Sequence, residues 1–74
     1  MIKHICVMRA KTYGGSYGVG DTQEAAKKKA RGELGEKPAE TRFHEVDVPK
    51  GRKLVVQTMP TGIQWWTEPE EETE

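Results

Sequence analysis

Residues 14–35 read GGSYGVGDTQEAAKKKARGELG, and this stretch contains a turn, a short strand and a helix in direct succession. Gly14 and Gly15 predict a two-residue hairpin turn, because glycine adopts the positive φ angles that such a turn requires. Residues 2–13 alternate between a mostly apolar face and a cation-bearing face, so we expect them to pair as a strand with residues 16–19. The stretch therefore predicts a β-hairpin that leads straight into a helix.

The helix is expected over residues 23–34, with Asp21 or Thr22 as its N-cap and Gly35 at its end. Its apolar positions are small and recur every four residues: Ala26, Ala30 and Leu34. The lysines between them are left toward solvent. A narrow stripe of small side chains suits close packing of a helix on a sheet.

Three segments with strand character follow the helix: residues 41–48, 53–59 and 63–67. The order ββαβββ predicts a single small α+β domain over residues 1–67, with an antiparallel sheet of three to five strands and one helix packed on one face. The other sheet face is expected to be open to solvent or to a partner. Residues 68–74 contain only Glu, Thr and Pro and are expected to be a disordered acidic tail.

The composition restricts the class of protein. A chain of 74 residues with 34% hydrophobic residues can build only a small core, so we expect modest stability, or stabilisation by a partner or a second copy. Cys6 is the only cysteine, which excludes an internal disulfide. No apolar run is long enough for a signal peptide or a membrane span. We therefore expect a cytoplasmic protein that does not associate with a membrane.

The sequence shows no pattern of catalytic residues. His4, Cys6 and His44 are the only soft metal ligands, and three such residues without a fourth ligand are more typical of core or edge positions than of a metal site. Residues 18–20, Gly-Val-Gly, lack the third glycine of a dinucleotide-binding loop. No nucleophile, base and orienting acid are recognisable together. We therefore predict a protein that is not an enzyme and that uses no cofactor and no metal.

The charges are divided along the chain. All 12 Lys and Arg residues lie at or before Lys53, so residues 1–53 carry a net charge of +5 and residues 54–74 carry −5. The candidate residues for binding nucleic acid or an acidic partner are Lys27, Lys28, Lys29, Arg31, Arg9 and Lys11. Phosphate groups would attract such a surface, because their neutralisation releases counterions. The alternative interpretation is an ordinary solvated helix face.

Two adjacent tryptophans, Trp65 and Trp66, lie in the last predicted strand. Neighbouring residues on a strand point to opposite faces, so we expect one indole to complete the core and the other to be exposed. An exposed tryptophan is a frequent anchor of protein interfaces, and both residues are candidates for contact with a protein partner. The alternative is that both indoles pack within a core that has few other large residues.

A strand that reads HICVMR at residues 4–9 precedes GVGDTQEAAKKKA at residues 18–30. This pattern resembles the second half of a double-stranded RNA-binding domain. The matching positions are the two glycines, Thr22, Ala26, Lys27 and Ala30. Residues 23–24, Gln-Glu, stand where that family usually has two lysines that contact phosphate, and the chain continues into strands where the family ends. The resemblance implies nucleic-acid binding through the basic helix.

Two functions follow from these observations. The first is a non-catalytic module that binds a protein partner and acts as a regulator or inhibitor. In its size and acidic end, the chain resembles small regulatory proteins encoded by phages and mobile elements. The alternative is a nucleic-acid-binding protein that uses its basic helix face. Affinity that falls steeply with salt would distinguish the second from the first.

Overall fold

The computed structural model describes residues 1–59 and 62–70, and its elements follow the predicted order ββαβββ. They are β1 (Ile2–Arg9), β2 (Gly15–Gly20), α1 (Gln23–Leu34), β3 (Glu40–Asp47), β4 (Arg52–Met59) and β5 (Gly62–Pro69). The strands form two antiparallel sheets, one of order β2-β1-β3 and one that pairs β4 with β5. The predicted α+β fold, with one helix on one face of an antiparallel sheet, is confirmed.

The connection between β1 and β2 is longer than predicted. β1 ends at Arg9, and the N–H of Ala10 donates to the carbonyl of Gly14 at 3.0 Å, which closes a loop over residues 10–14. Gly14 has a φ of 85°, whereas Gly15 already pairs with Arg9 as the first residue of β2. Only the first of the two glycines therefore supplies the left-handed conformation that the turn requires.

α1 has the predicted bounds, because local signals determine both of its ends. The hydroxyl of Thr22 accepts a hydrogen bond from the N–H of Ala25 at 3.1 Å, and Gly35 ends the helix with a φ of 74°. Asp21, the alternative cap, instead lies 2.5 Å from the ammonium of Lys3. Across residues 1–59 and 62–70, no helix is long and apolar enough to cross a membrane.

α1 packs on β1 and β2 through its alanines. The buried cluster consists of Cys6, Met8, Ala26 and Ala30, with Leu34 packed against it. Gly18 of β2 permits the close approach, since a Cβ at this position would lie 2.2 Å from the carbonyl oxygen of Ala26. The hydroxyl of Ser16 donates to the carbonyl of Ala30 at 2.6 Å. The helix backbone therefore lies directly above β2.

The second face of the three-stranded sheet is covered, and the expectation of an open face is wrong. Ile5 points away from α1, yet its side chain is fully buried. The hairpin of β4 and β5 provides the cover: the rings of Trp65 and His44 lie 4.6 Å apart, and Leu54 and Val56 line a cleft together with residues of β2. The molecule therefore has three layers: a helix, a three-stranded sheet and a two-stranded hairpin.

β5 continues to Pro69, so the predicted boundary between domain and tail falls inside a strand. Arg52 explains the extension, because its Nε donates to the hydroxyl of Thr67 at 2.9 Å and its Nη2 donates to the carbonyl of Thr67 at 2.7 Å. The N–H of Glu70 then donates to the carbonyl of Gly51 at 2.9 Å. Residues 71–74, the rest of the predicted tail, lie outside the described residues.

Candidate functional site

The helix cations form an exposed surface of their own. Lys27, Lys28, Lys29 and Arg31 are all exposed on α1. In the part of the chain that the structure describes, none of the four forms a salt bridge with a carboxylate. Arg31 uses its Nη1 as a donor to the backbone carbonyl of Glu36. These side chains are therefore available to an anionic partner.

Arg9 does not extend this surface. Arg9 points to the face opposite α1, where its Nη1 lies 3.4 Å from Oε1 of Glu40. Arg42 binds the same carboxylate at 2.7 Å, and the two guanidinium groups, Arg42 more strongly, hold the pKa of Glu40 below its usual range. Lys11 lies in the loop between β1 and β2. The fold thus separates Arg9 from the four cations of the helix.

The two tryptophans lie on opposite faces of the β4–β5 hairpin. Trp65 packs on His44 beneath the hairpin, whereas 37% of Trp66 is exposed on the outer side. The indole Nε1 of Trp66 donates to Oε2 of Glu68 at 2.7 Å, and Val55 is its partner across the hairpin. Trp66 is therefore the more exposed of the two indoles, since Trp65 is partly buried.

The outer hairpin face, as we name the surface around Trp66, carries four cross-strand pairs. They are Lys53 with Glu68, Val55 with Trp66, Gln57 with Gln64, and Met59 with Gly62. Met59 is 39% exposed. Tryptophan and methionine are enriched in protein interfaces, whereas charged residues are depleted from their centres. The only charged pair among these four, Lys53 with Glu68, lies at the end of the hairpin away from the turn, which would be the rim of an interface.

The residues with metal-binding or nucleophilic side chains do not converge. His4 shares the α1 face of the sheet with Cys6, whereas His44 lies on the opposite face beneath Trp65. Burial raises the pKa of the Cys6 thiol, and this disfavours the thiolate that would act as a nucleophile or a ligand. Within the described residues, no three His, Cys, Asp or Glu side chains lie close enough together to hold a metal ion.

Sequence reasoning missed a groove beside β2. It has a volume of about 910 Å³, and it is lined by Lys28, Lys29 and Gly32 of α1 and by Tyr17 and Val19 of β2, among others. The only signal in the sequence was that this strand contains no charged residue and no proline. That composition indicates an accessible edge only if the strand lies at the edge of a sheet. The strand order that places it there depends on distant parts of the chain.

A comparison of the chain with known protein families, curated proteins and solved structures found no match. The resemblance to a double-stranded RNA-binding domain therefore remains an expectation from residues 4–31. In the structure, Gln23 and Glu24 lie exposed in the first turn of α1, at the end where that family contacts phosphate. A carboxylate at this position would repel a phosphate group.

Proposed function

We propose that this protein is a non-catalytic protein-binding module of a regulatory or inhibitory type, and that Trp66 anchors its interface. The observation that carries the proposal is the 37% exposure of Trp66 in a protein with few large residues. Covering that part of an indole removes on the order of 80 Å² of surface from water, which contributes about 2 kcal/mol. Such a gain is typical of an interface hot spot.

The surroundings of Trp66 favour binding further. The hydrogen bond from its Nε1 to Glu68 holds the indole in one orientation, and Val55 is its partner across the hairpin. A side chain that is already ordered loses little conformational entropy when a partner covers it. The hairpin also rests on the three-stranded sheet through Trp65, so the outer hairpin face is supported from below.

Replacing Trp66 with alanine removes the proposed anchor and is expected to weaken partner binding about 30-fold, which corresponds to about 2 kcal/mol. The measurement is capture of partners from nuclease-treated native lysate on immobilised protein, followed by titration of each captured protein. The melting temperature of the variant verifies that the fold is intact.

The matched control is Tyr13→Ala, which removes another exposed aromatic side chain from the loop between β1 and β2. It is expected to leave capture unchanged. If Trp66→Ala and Tyr13→Ala retain the same partners with the same affinity, Trp66 is not the anchor and the proposal fails.

Nucleic-acid binding is a second candidate function. It is favoured by the four exposed helix cations, none of which pairs with a carboxylate of residues 1–59 or 62–70. If all four contact phosphates of a duplex, the slope of log K against log salt concentration is expected to be about −3.6. Replacing Lys27, Lys28, Lys29 and Arg31 together by glutamine should abolish this binding. Replacing Arg9 should have a small effect, because it lies on the opposite face of the sheet and binds Glu40. Equal losses in the two variants would exclude α1 as the binding surface.

A further inference from the structure

The hydrogen-bond register between β1 and β2 determines which backbone groups of β2 point away from β1. The N–H of Ala10 donates to the carbonyl of Gly14, in register with the β1–β2 ladder. Bonded pairs recur at every second residue of an antiparallel ladder, so the even-numbered residues of β2 bond to β1. The N–H and C=O groups of Tyr17 and Val19 therefore point away from β1. β2 ends the sheet, and no described strand pairs with this edge.

The edge of β2 lacks the usual protection against strand addition. Residues 15–20 contain no charged residue and no proline. Four charged residues lie in β3, the strand at the other edge of the sheet: Glu40, Arg42, Glu45 and Asp47. Charged side chains and proline are the means by which edge strands avoid pairing with other chains. Of the two edges of this sheet, that of β2 is the one left accessible.

The groove beside β2 gives this edge two different walls. Lys28 and Lys29 line it on the side of α1, and Thr58 of β4 lines it on the side of the hairpin. Gly32 also lies on the α1 side, and a Cβ at this position would meet no atom within 4 Å. Nothing within the described residues packs against this helical glycine, so the groove is open to solvent at this point.

The groove beside β2 can hold a single extended peptide more easily than it can hold a second copy of this chain paired through its own β2. α1 lies directly above Gly18, so two copies paired through β2 would bring their helices to a separation on the order of 5 Å. Packed helices are about 8–10 Å apart, so the two helices would collide. An extended peptide carries no helix above it and avoids this collision.

We propose that the β2 edge binds an extended peptide segment of a partner protein by strand addition, and that this segment alternates acidic and apolar residues. Peptide residues opposite Tyr17 and Val19 share the face of those side chains, which is the apolar side toward β4. The residues between them face α1, where Lys28 and Lys29 complement carboxylates. Glu33 lines the same groove, so it disfavours an acidic residue beside it.

This inference rests on the proposed function, since it specifies a partner of the same class, but it concerns a surface separate from Trp66. The probe is an acetylated, fluorescein-labelled hexapeptide that alternates glutamate and valine. The matched peptide has the same composition in two blocks, three glutamates and then three valines. In low salt, fluorescence anisotropy is expected to show binding at least 10-fold tighter for the alternating peptide. Hydrogen exchange followed by NMR is expected to show slower exchange at the amides of Tyr17 and Val19.

Two pairs of variants locate the site. Val19→Pro removes an outward N–H without removing a bond to β1, and it is expected to weaken peptide binding at least 10-fold. Glu45→Pro is the matched variant on the β3 edge and should leave peptide binding unchanged. Met1 and Val48 form a hydrogen-bonded pair, so by alternation the backbone N–H of Glu45 points away from β1. Lys28→Glu with Lys29→Glu should weaken binding at least 10-fold. Lys27→Glu, on the same helix but outside the groove, should cause a smaller loss.

Several results would overturn the proposal: no binding of the alternating peptide at millimolar concentration, protection at β3 instead of β2, or equal effects within each pair of variants. If Val19→Pro fails to fold, the lysine variants and the exchange data still decide the question. Trp66→Ala is expected to leave peptide binding unchanged. The loss of Trp66-dependent capture therefore tests the proposed function independently of the peptide result.

Discussion

Replacing Gly18 with alanine is expected to lower the melting temperature of this protein by about 12–24 °C. The new Cβ would lie 2.2 Å from the carbonyl oxygen of Ala26 and 2.6 Å from the backbone nitrogen of Ala30. Both atoms belong to the helix backbone, so α1 has to move away from the sheet. Overpacking of this kind costs about 3 kcal/mol, and each kcal/mol shifts the melting temperature of so small a domain by about 4–8 °C. Thermal unfolding followed by far-ultraviolet circular dichroism measures the change.

Gly32→Ala is the control for this prediction. Gly32 also lies beside β2, but a Cβ there meets no atom within 4 Å. Because alanine favours an exposed helical position over glycine by up to about 1 kcal/mol, this variant is expected to be slightly more stable than the parent protein. Similar melting temperatures for the two glycine variants would show that α1 does not rest on Gly18.

Replacing Ile5 with alanine is expected to reduce the free energy of unfolding by about 3 kcal/mol, because it leaves a cavity between the three-stranded sheet and the hairpin. Ile5 is fully buried although it points away from α1. Its burial therefore depends on the cover that β4 and β5 provide. Denaturant unfolding followed by tryptophan fluorescence measures the loss.

Ile2→Ala provides the comparison, since Ile2 lies on the same strand and is 46% exposed. Its loss is expected to be below about 1 kcal/mol, because less apolar surface returns to water. If the two isoleucine variants are equally stable, the hairpin does not cover this face in solution, and the outer hairpin face loses its support.

The two proposed binding surfaces use different physical features. The outer hairpin face offers an ordered aromatic side chain with a hydrogen bond to Glu68, so its contribution comes mainly from removing apolar surface from water. The β2 edge offers backbone groups that no described strand pairs with, beside Lys28 and Lys29, so hydrogen bonds and charge contribute more there. Binding at the edge should therefore weaken as salt rises, whereas binding through Trp66 should change little.

Local signals determined much of the secondary structure. The helix bounds follow from the hydroxyl of Thr22 at one end and from Gly35 at the other, and each interaction reaches no further than one helical turn. The positions of Ala26 and Ala30 on the buried face follow from helical periodicity. Strand alternation likewise separated Trp65 from Trp66. Such features depend on neighbours in the sequence, so they can be predicted from it.

Tertiary structure alone decided which surfaces a partner can reach. The order β2-β1-β3 leaves β2 at an edge, and the hairpin of β4 and β5 folds over the face that the sequence left open. Arg9 was grouped with the helix lysines, but the sheet separates it from them and Glu40 binds it. The sequence by itself determined the strands, the helix and the small side chains that let them pack closely. The relative placement of these elements depends on contacts between distant segments, such as Trp65 with His44, and local propensity does not specify such contacts.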